Sequence, residues 1–141
     1  MNKNTSKEII NTLKKIIPNP ICELNFNNCF ELICAVLMSA QTTDKRVNMI
    51  TPELFKHYPT PKDLMNADVL DVKNIIASVG LAKSKAKNLI AMAKILHEKY
   101  NDVVPDTIEE LISLPGVGRK TASVVLAVGY KIPLKLVGLL F

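Results

Sequence analysis

Tryptophan is absent from this chain, and cysteine, glycine and aromatic residues are scarce: three Cys, five Gly and 5% aromatic residues in 141. An odd cysteine count, with no signal-peptide layout in the opening Met-Asn-Lys-Asn-Thr-Ser, argues against a disulfide framework and for a reducing cytoplasm. Cys22, Cys29 and Cys34 are spaced C-x6-C-x4-C, which fits no common zinc pattern. Cys34 lies inside an apolar run and reads as a buried structural thiol. No apolar run reaches the roughly 18–20 residues that a membrane-spanning helix needs. Strand signals are also missing: there is no Asn-Gly turn and no sustained alternation of period two. Low-complexity segments and long repeats are absent as well. What remains is an ordinary globular profile, 48% hydrophobic and 22% charged, long enough for one domain with a real core. Net charge is +5, which favours a polyanionic partner such as nucleic acid.

The apolar spacing is helical from end to end, so the expected fold class is all-α. Thr5 and Glu8 form a capping box ahead of Ile9, Ile10, Leu13, Ile16 and Ile17, and Pro18 and Pro20 end that helix. Asn28 and Glu31 suggest a cap before the run Phe30 to Ala40, apolar almost all round and therefore buried. Thr43 opens a third helix that Pro52 kinks or restarts. Thr60-Pro61 is a cap followed by proline at the first helical position. Asp68 caps a helix expected to run to Val79 and stop at Gly80. A helix from Ser84 to Lys99 puts Leu89, Ile90, Ala93, Ile95 and Leu96 inward and Lys83, Lys85, Lys87 and Lys94 outward. Asp106 or Thr107 caps a short helix to Ser113, and a last helix runs from about Arg119 to Gly129. His57 and His97 fit no constellation and read as surface residues.

Between those last two helices lies the most informative segment, Leu114-Pro115-Gly116-Val117-Gly118-Arg119-Lys120-Thr121-Ala122. Pro115 fixes its own φ, and Gly116 and Gly118 tolerate backbone angles that other residues resist. Such a turn is tight and nearly free of side chains, so its backbone N–H groups and those of the next helix can approach a phosphate whatever the base. Lys120 sits at the helix opening, where the positive end of the dipole disfavours an ammonium; that is a setting for a Schiff-base nucleophile. Asp44 and Thr121 read as capping or packing residues.

Residues 114–122 resemble the helix–hairpin–helix of the endonuclease III family of DNA repair glycosylases. Three further stretches agree: Glu31 to Asp44, ending Ser39-Ala40-Gln41-Thr42-Thr43-Asp44; Glu23-Leu24-Asn25-Phe26; and Val79-Gly80-Leu81-Ala82-Lys83-Ser84-Lys85-Ala86. The resemblance implies an all-helical barrel with a cleft over residues 19–133, with the helix–hairpin–helix at about 107–129. It implies glycosylase and abasic-site lyase activity on oxidised pyrimidines in double-stranded DNA, with the damaged nucleotide flipped out. Lys120 matches the family's catalytic lysine. Gln41 matches the residue that fills the gap left by the flipped base; the lesser alternative is a loop-capping amide. Leu81 matches a wedge into the opposite strand; on its own it is a helix-end contact. Leu114, Gly116, Val117, Gly118 and Arg119 match the phosphate-gripping hairpin. Lys83, Lys85 and Lys87 are either further phosphate contacts or a solvated helix face.

The chain also departs from the family. After Pro133 the family continues closely with Val-Asp-Thr-His, whose aspartate assists base departure; Leu134 to Phe141 contain no Asp, Thr or His. The cysteine ligands of the family's four-iron four-sulfur cluster belong to a C-terminal half not found here, so no metal and no cofactor is expected in this chain. Residues 1–18 then form a helix whose family partner is missing, and 134–141 an atypical tail. These features lead to an expectation of truncation, impaired activity and an aggregation-prone monomer. The expected location is the cytoplasm, at the nucleoid. Two rival readings are a DNA-binding remnant without chemistry and an unfolded fragment. A monofunctional adenine glycosylase fits less well, because its hairpin usually lacks the lysine.

Overall fold

The computed structural model describes residues 23–131, and the expected N-terminal helix and the 134–141 tail lie outside them. Among the described residues there are α-helices and one π-helical turn, and no strand, as the helical spacing predicts. In chain order they are α1 (Cys29–Ser39), α2 (Asp44–His57), α3 (Pro61–Met65), α4 (Val69–Ile75), α5 (Ala82–Tyr100), α6 (Ile108–Ile112) and α7 (Arg119–Val124). The π-helical turn Val125–Gly129 continues α7.

The starts of these helices follow from local chemistry. Asn28, Thr43, Thr60, Asp68 and Thr107 each stand at an N-cap, and each side chain accepts a backbone N–H from the first turn, which satisfies a donor the helix cannot. Glu31 completes the first cap by accepting from the backbone and side-chain N–H groups of Asn27. Pro61 occupies the first helical position of α3, where a missing N–H costs nothing.

At the centre is α1, with Phe30 and every residue from Leu32 to Met38 buried. It packs against α2, α5, α7 and the π turn. Each large side chain sealed this way contributes up to about 1.5–3 kcal/mol, so α1 is the backbone of the core. The long α5 lies against α3, α4 and α1, and α6 leads into α7. Gly129 lets the π turn lie directly on α1: a Cβ there would come within 2.8 Å of Leu32 Cδ2. The Tyr130 hydroxyl donates to the Val104 carbonyl and ties the segment after the turn to the loop before α6. Cys34 is fully buried, and burial pushes its thiol well above the ordinary cysteine range.

Three boundaries differ from expectation. α2 continues through Pro52 rather than restarting there, with the proline exposed. α4 ends at Ile75, and a turn closed by the Val79 N–H and the Ile76 carbonyl brings Val79 back into the core. A buried side chain satisfies the apolar pattern in a turn as well as in a helix. α5 begins at Ala82, entered from Leu81 in the left-handed conformation rather than from a capping side chain. Its inward stripe holds Lys85, Leu89, Met92, Ala93 and Leu96, while Ile90 and Ile95 are only half-buried. His57 is exposed, and the half-buried His97 pairs through Nδ1 with Asp102 at 2.8 Å.

Candidate functional site

The hairpin is anchored from below and open above. Leu114 and Val117 are buried in the core, and the Val117 N–H donates to the Leu114 carbonyl at 3.1 Å, closing the turn. What these two residues present outward is therefore backbone. Gly116, Gly118, Arg119 and Lys120 are exposed. The two glycines serve different purposes. Gly116 has φ +78°, and a Cβ there would meet Asn88 of α5 at 2.9–3.1 Å, so both angle and space demand glycine. Gly118 caps α7 in extended conformation, and no atom stands within 4 Å of where its Cβ would be. Its missing side chain leaves open space on the outer face of the hairpin.

Lys120, in the first turn of α7, lines a cavity of about 360 Å³ with Leu24, Val36, Ser39, Ala40, Gln41, Asp44, Thr121 and Val124. The fold thus brings Gln41 and Lys120, far apart in sequence, to one cavity. Its wall at Leu24 is an extended segment hung on α2: Asp44 Oδ2 accepts the Glu23 N–H at 3.0 Å, Asn48 Oδ1 accepts the Asn25 N–H at 2.8 Å, and Asn48 Nδ2 donates to the Glu23 carbonyl at 2.8 Å. Asp44 and Asn48 stand one helical turn apart and share a face. Asp44 is therefore a cavity residue and a clasp, while Thr43 is the helix cap. Thr121, expected as a capping or packing residue, also lines the cavity, as do Leu24 and Ser39, whose types and spacing do not mark them.

Gln41 and Leu81 are both exposed and both left-handed, with φ +60° and +58°. Among the described residues no hydrogen bond uses the Gln41 amide. Leu81 is 61% exposed and precedes a helix rather than closing one, which removes the helix-end reading. A left-handed conformation costs a residue with a Cβ about 1–2 kcal/mol. The two loops are neighbours, joined by the hydrogen bond from the Gly80 N–H to Thr42 Oγ1.

Lys85 overturns both expectations made for it. It is 4% exposed, points inward on α5, and makes no contribution to a basic surface. Its Nζ donates to the Met38 carbonyl at 2.8 Å, the Ala40 carbonyl at 2.5 Å and Thr42 Oγ1 at 3.2 Å, using all three ammonium hydrogens. α1 has no basic residue in its own last turn, so this lysine from α5 supplies the charge its C-terminal dipole favours. Thr42 Oγ1 also accepts the Gly80 N–H at 3.0 Å. The signal was present in the sequence: Lys85 stands four residues before Leu89, on the apolar stripe of α5. Lys83, Lys87 and Lys94 are exposed as expected.

The described cysteines do not suit an iron–sulfur cluster, which takes four thiolates. Cys34 is sealed inside α1, and Cys29 is half-buried one turn away with its thiol raised by burial. No cluster of three or more His, Cys, Asp or Glu arranged for a metal occurs among the described residues, and no described helix is long and apolar enough to cross a membrane.

Comparison with known proteins agrees with this arrangement. The chain is 45% identical over 133 residues to endonuclease III of Escherichia coli K12, covering 94% of this chain and 63% of that protein. It is 42% identical over 125 residues to endonuclease III of a Synechocystis strain, covering 57% of it. The chain therefore spans about three fifths of the length of these curated relatives. A solved structure of a trapped endonuclease III–DNA covalent intermediate, an estranged-adenine complex, superposes with a TM-score of 0.79 at 41% identity, over 94% of this chain and 62% of that one. Residues 34–133 match the family described as HhH-GPD superfamily base excision DNA repair protein, and this chain, with its glycine hairpin between α6 and α7, belongs to that superfamily.

Proposed function

We propose that this chain is the helical barrel of a base-excision DNA glycosylase with abasic-site lyase activity, acting on oxidised pyrimidines in duplex DNA. One observation carries the reading: an exposed lysine in the first turn after the glycine hairpin shares a cavity with Gln41, whose loop adjoins that of Leu81. The hairpin backbone at Leu114, Gly116, Val117, Gly118 and Arg119 grips the phosphates. Leu81 wedges into the stack and Gln41 occupies the space of the extruded nucleotide, whose sugar enters the cavity. The Lys120 amine attacks the sugar's anomeric carbon. The base departs with the bonding electrons, the sugar ring opens as the C1′–O4′ bond breaks and the nitrogen's proton passes to O4′, leaving an imine, and loss of a 2′ proton expels the 3′ phosphate by β-elimination. Asp44 and Thr121 flank the lysine and orient the sugar. The substrate places the protein at the nucleoid.

The support lies in the cavity that three of the four sequence stretches line, in the Gly80–Thr42 hydrogen bond that joins the fourth to them, and in the likeness to endonuclease III–DNA complexes. The direct test uses a duplex with a single abasic site, a substrate that needs the lysine step alone. The chain is expected to nick it to the β-elimination product, and Lys120→Ala to leave it intact. Nicking by Lys120→Ala at the wild-type rate would remove Lys120 from the chemistry.

A further inference from the structure

We propose that Lys85 is a positioning residue for nucleotide extrusion, its buried ammonium tying the Gln41 loop to the Leu81 loop so that the two exposed side chains enter DNA as one unit. This rests on the reading of Gln41 and Leu81 given above and adds to it the part that makes them act together.

The geometry is specific. The Met38 and Ala40 carbonyls and the Thr42 hydroxyl bracket Gln41 from both sides, and all three accept from the same Nζ. The hydroxyl has a second donor, the Gly80 N–H, from the residue before Leu81. Gly80 approaches so closely that a Cβ there would stand 3.4 Å from the Gln41 carbonyl oxygen. Lys85 itself is one turn into α5, the helix that Leu81 opens, and its backbone N–H donates to the Leu81 carbonyl at 2.9 Å. One residue thus touches the Leu81 loop through its backbone and the Gln41 loop through its side chain. Each loop is held in a conformation that a free chain would leave, since Gln41 and Leu81 are both left-handed. Without the ammonium, two carbonyls at the end of α1 lose their donor, and each loop relaxes separately.

A core lysine kept for folding would have none of this coupling, so the distinguishing quantity is non-additivity. The experiment uses the whole 141-residue chain and two duplexes, one with a tetrahydrofuran abasic-site analogue and one intact, read by fluorescence anisotropy at fixed salt. Leu81→Ala is expected to lower the abasic-over-intact selectivity, and Lys85→Met to lower it by at least about fivefold. In the Lys85→Met background, Leu81→Ala is expected to add almost nothing. Lys85→Arg, which keeps a cation and several donors, is expected to recover part of the loss. Should Lys85→Met fail to reach the wild-type helical signal, Thr42→Val removes the shared hydroxyl alone and is expected to show the same non-additivity with a smaller loss. Independent, multiplying losses from Lys85 and Leu81 would overturn the coupling and leave the roles of Gln41 and Leu81 standing. Unchanged selectivity in Leu81→Ala would overturn those roles, and the coupling with them.

Discussion

Adding one methyl group to each hairpin glycine separates what the fold needs from what the ligand needs. At Gly116 the backbone is left-handed, which costs an alanine about 1–2 kcal/mol. The new Cβ would also press on Asn88 at Nδ2, Cβ and Cγ, between 2.9 and 3.1 Å. Swinging the amide away relieves the Nδ2 and Cγ contacts but not the third, because Asn88 Cβ is fixed to α5. Overpacking of that kind costs about 1–3 kcal/mol more. The loss of unfolded-chain freedom returns about 0.4–1 kcal/mol. Gly116→Ala is therefore expected to destabilise by about 2–4 kcal/mol, lowering a urea midpoint by roughly 1–2 M. At Gly118, φ is −99°, a conformation open to any residue, and nothing stands within 4 Å. Gly118→Ala is expected to leave stability unchanged or raise it by up to about 1 kcal/mol. The same methyl group projects into the space assigned to a phosphate. Loss of one hydrogen bond to a charged partner, about 1.5–3 kcal/mol, weakens duplex binding by roughly 10–100-fold. Urea unfolding followed at 222 nm, with binding to an abasic-site duplex at one salt concentration, reads both effects. Equal midpoints for Gly116→Ala and wild type would refute the packing argument. A stable Gly118→Ala with undiminished binding would refute the phosphate site.

Three further outcomes follow from the same contacts. Asn48→Ala removes two of the three hydrogen bonds that hold residues 23–25 and is expected to cost about 1–2 kcal/mol and to weaken abasic-site binding by loosening the Leu24 wall, as a melting and titration pair will record. Burial, aided by the neighbouring Cys29, pushes the Tyr130 hydroxyl up to about 12, so the folded protein holds that proton more tightly than the unfolded chain; stability from this group is full below pH 10 and is lost as pH rises towards 12. Tyr130→Phe should flatten that alkaline decline in urea midpoints, and an equally steep decline would count against it. Cys34 should resist thiol reagents until the protein unfolds, and rapid labelling of native protein would contradict its burial.

Much of the fold was legible because its determinants are local. The caps at Asn28, Thr43, Thr60, Asp68 and Thr107 depend on atoms within three residues, and the burial of α1 follows from its being apolar on every side. The hairpin was legible for the same reason. What escaped depends on distant partners. Lys85 stands on the apolar stripe of α5, unlike its exposed neighbours Lys83 and Lys87, but only the end of α1, folded against α5, gives its ammonium partners. Gly116 and Gly118 look alike until Asn88 arrives beneath one of them. The early stop of α4 turns on how Val79 is brought back into the core, and periodicity alone does not decide that.

Borohydride trapping on a single-abasic-site duplex tests the central claim most directly. The account predicts a covalent protein–DNA adduct whose modified peptide contains Lys120, and no adduct from a Lys120→Ala variant of unchanged helical content. An adduct that persists in Lys120→Ala, or that maps to another lysine, would contradict it.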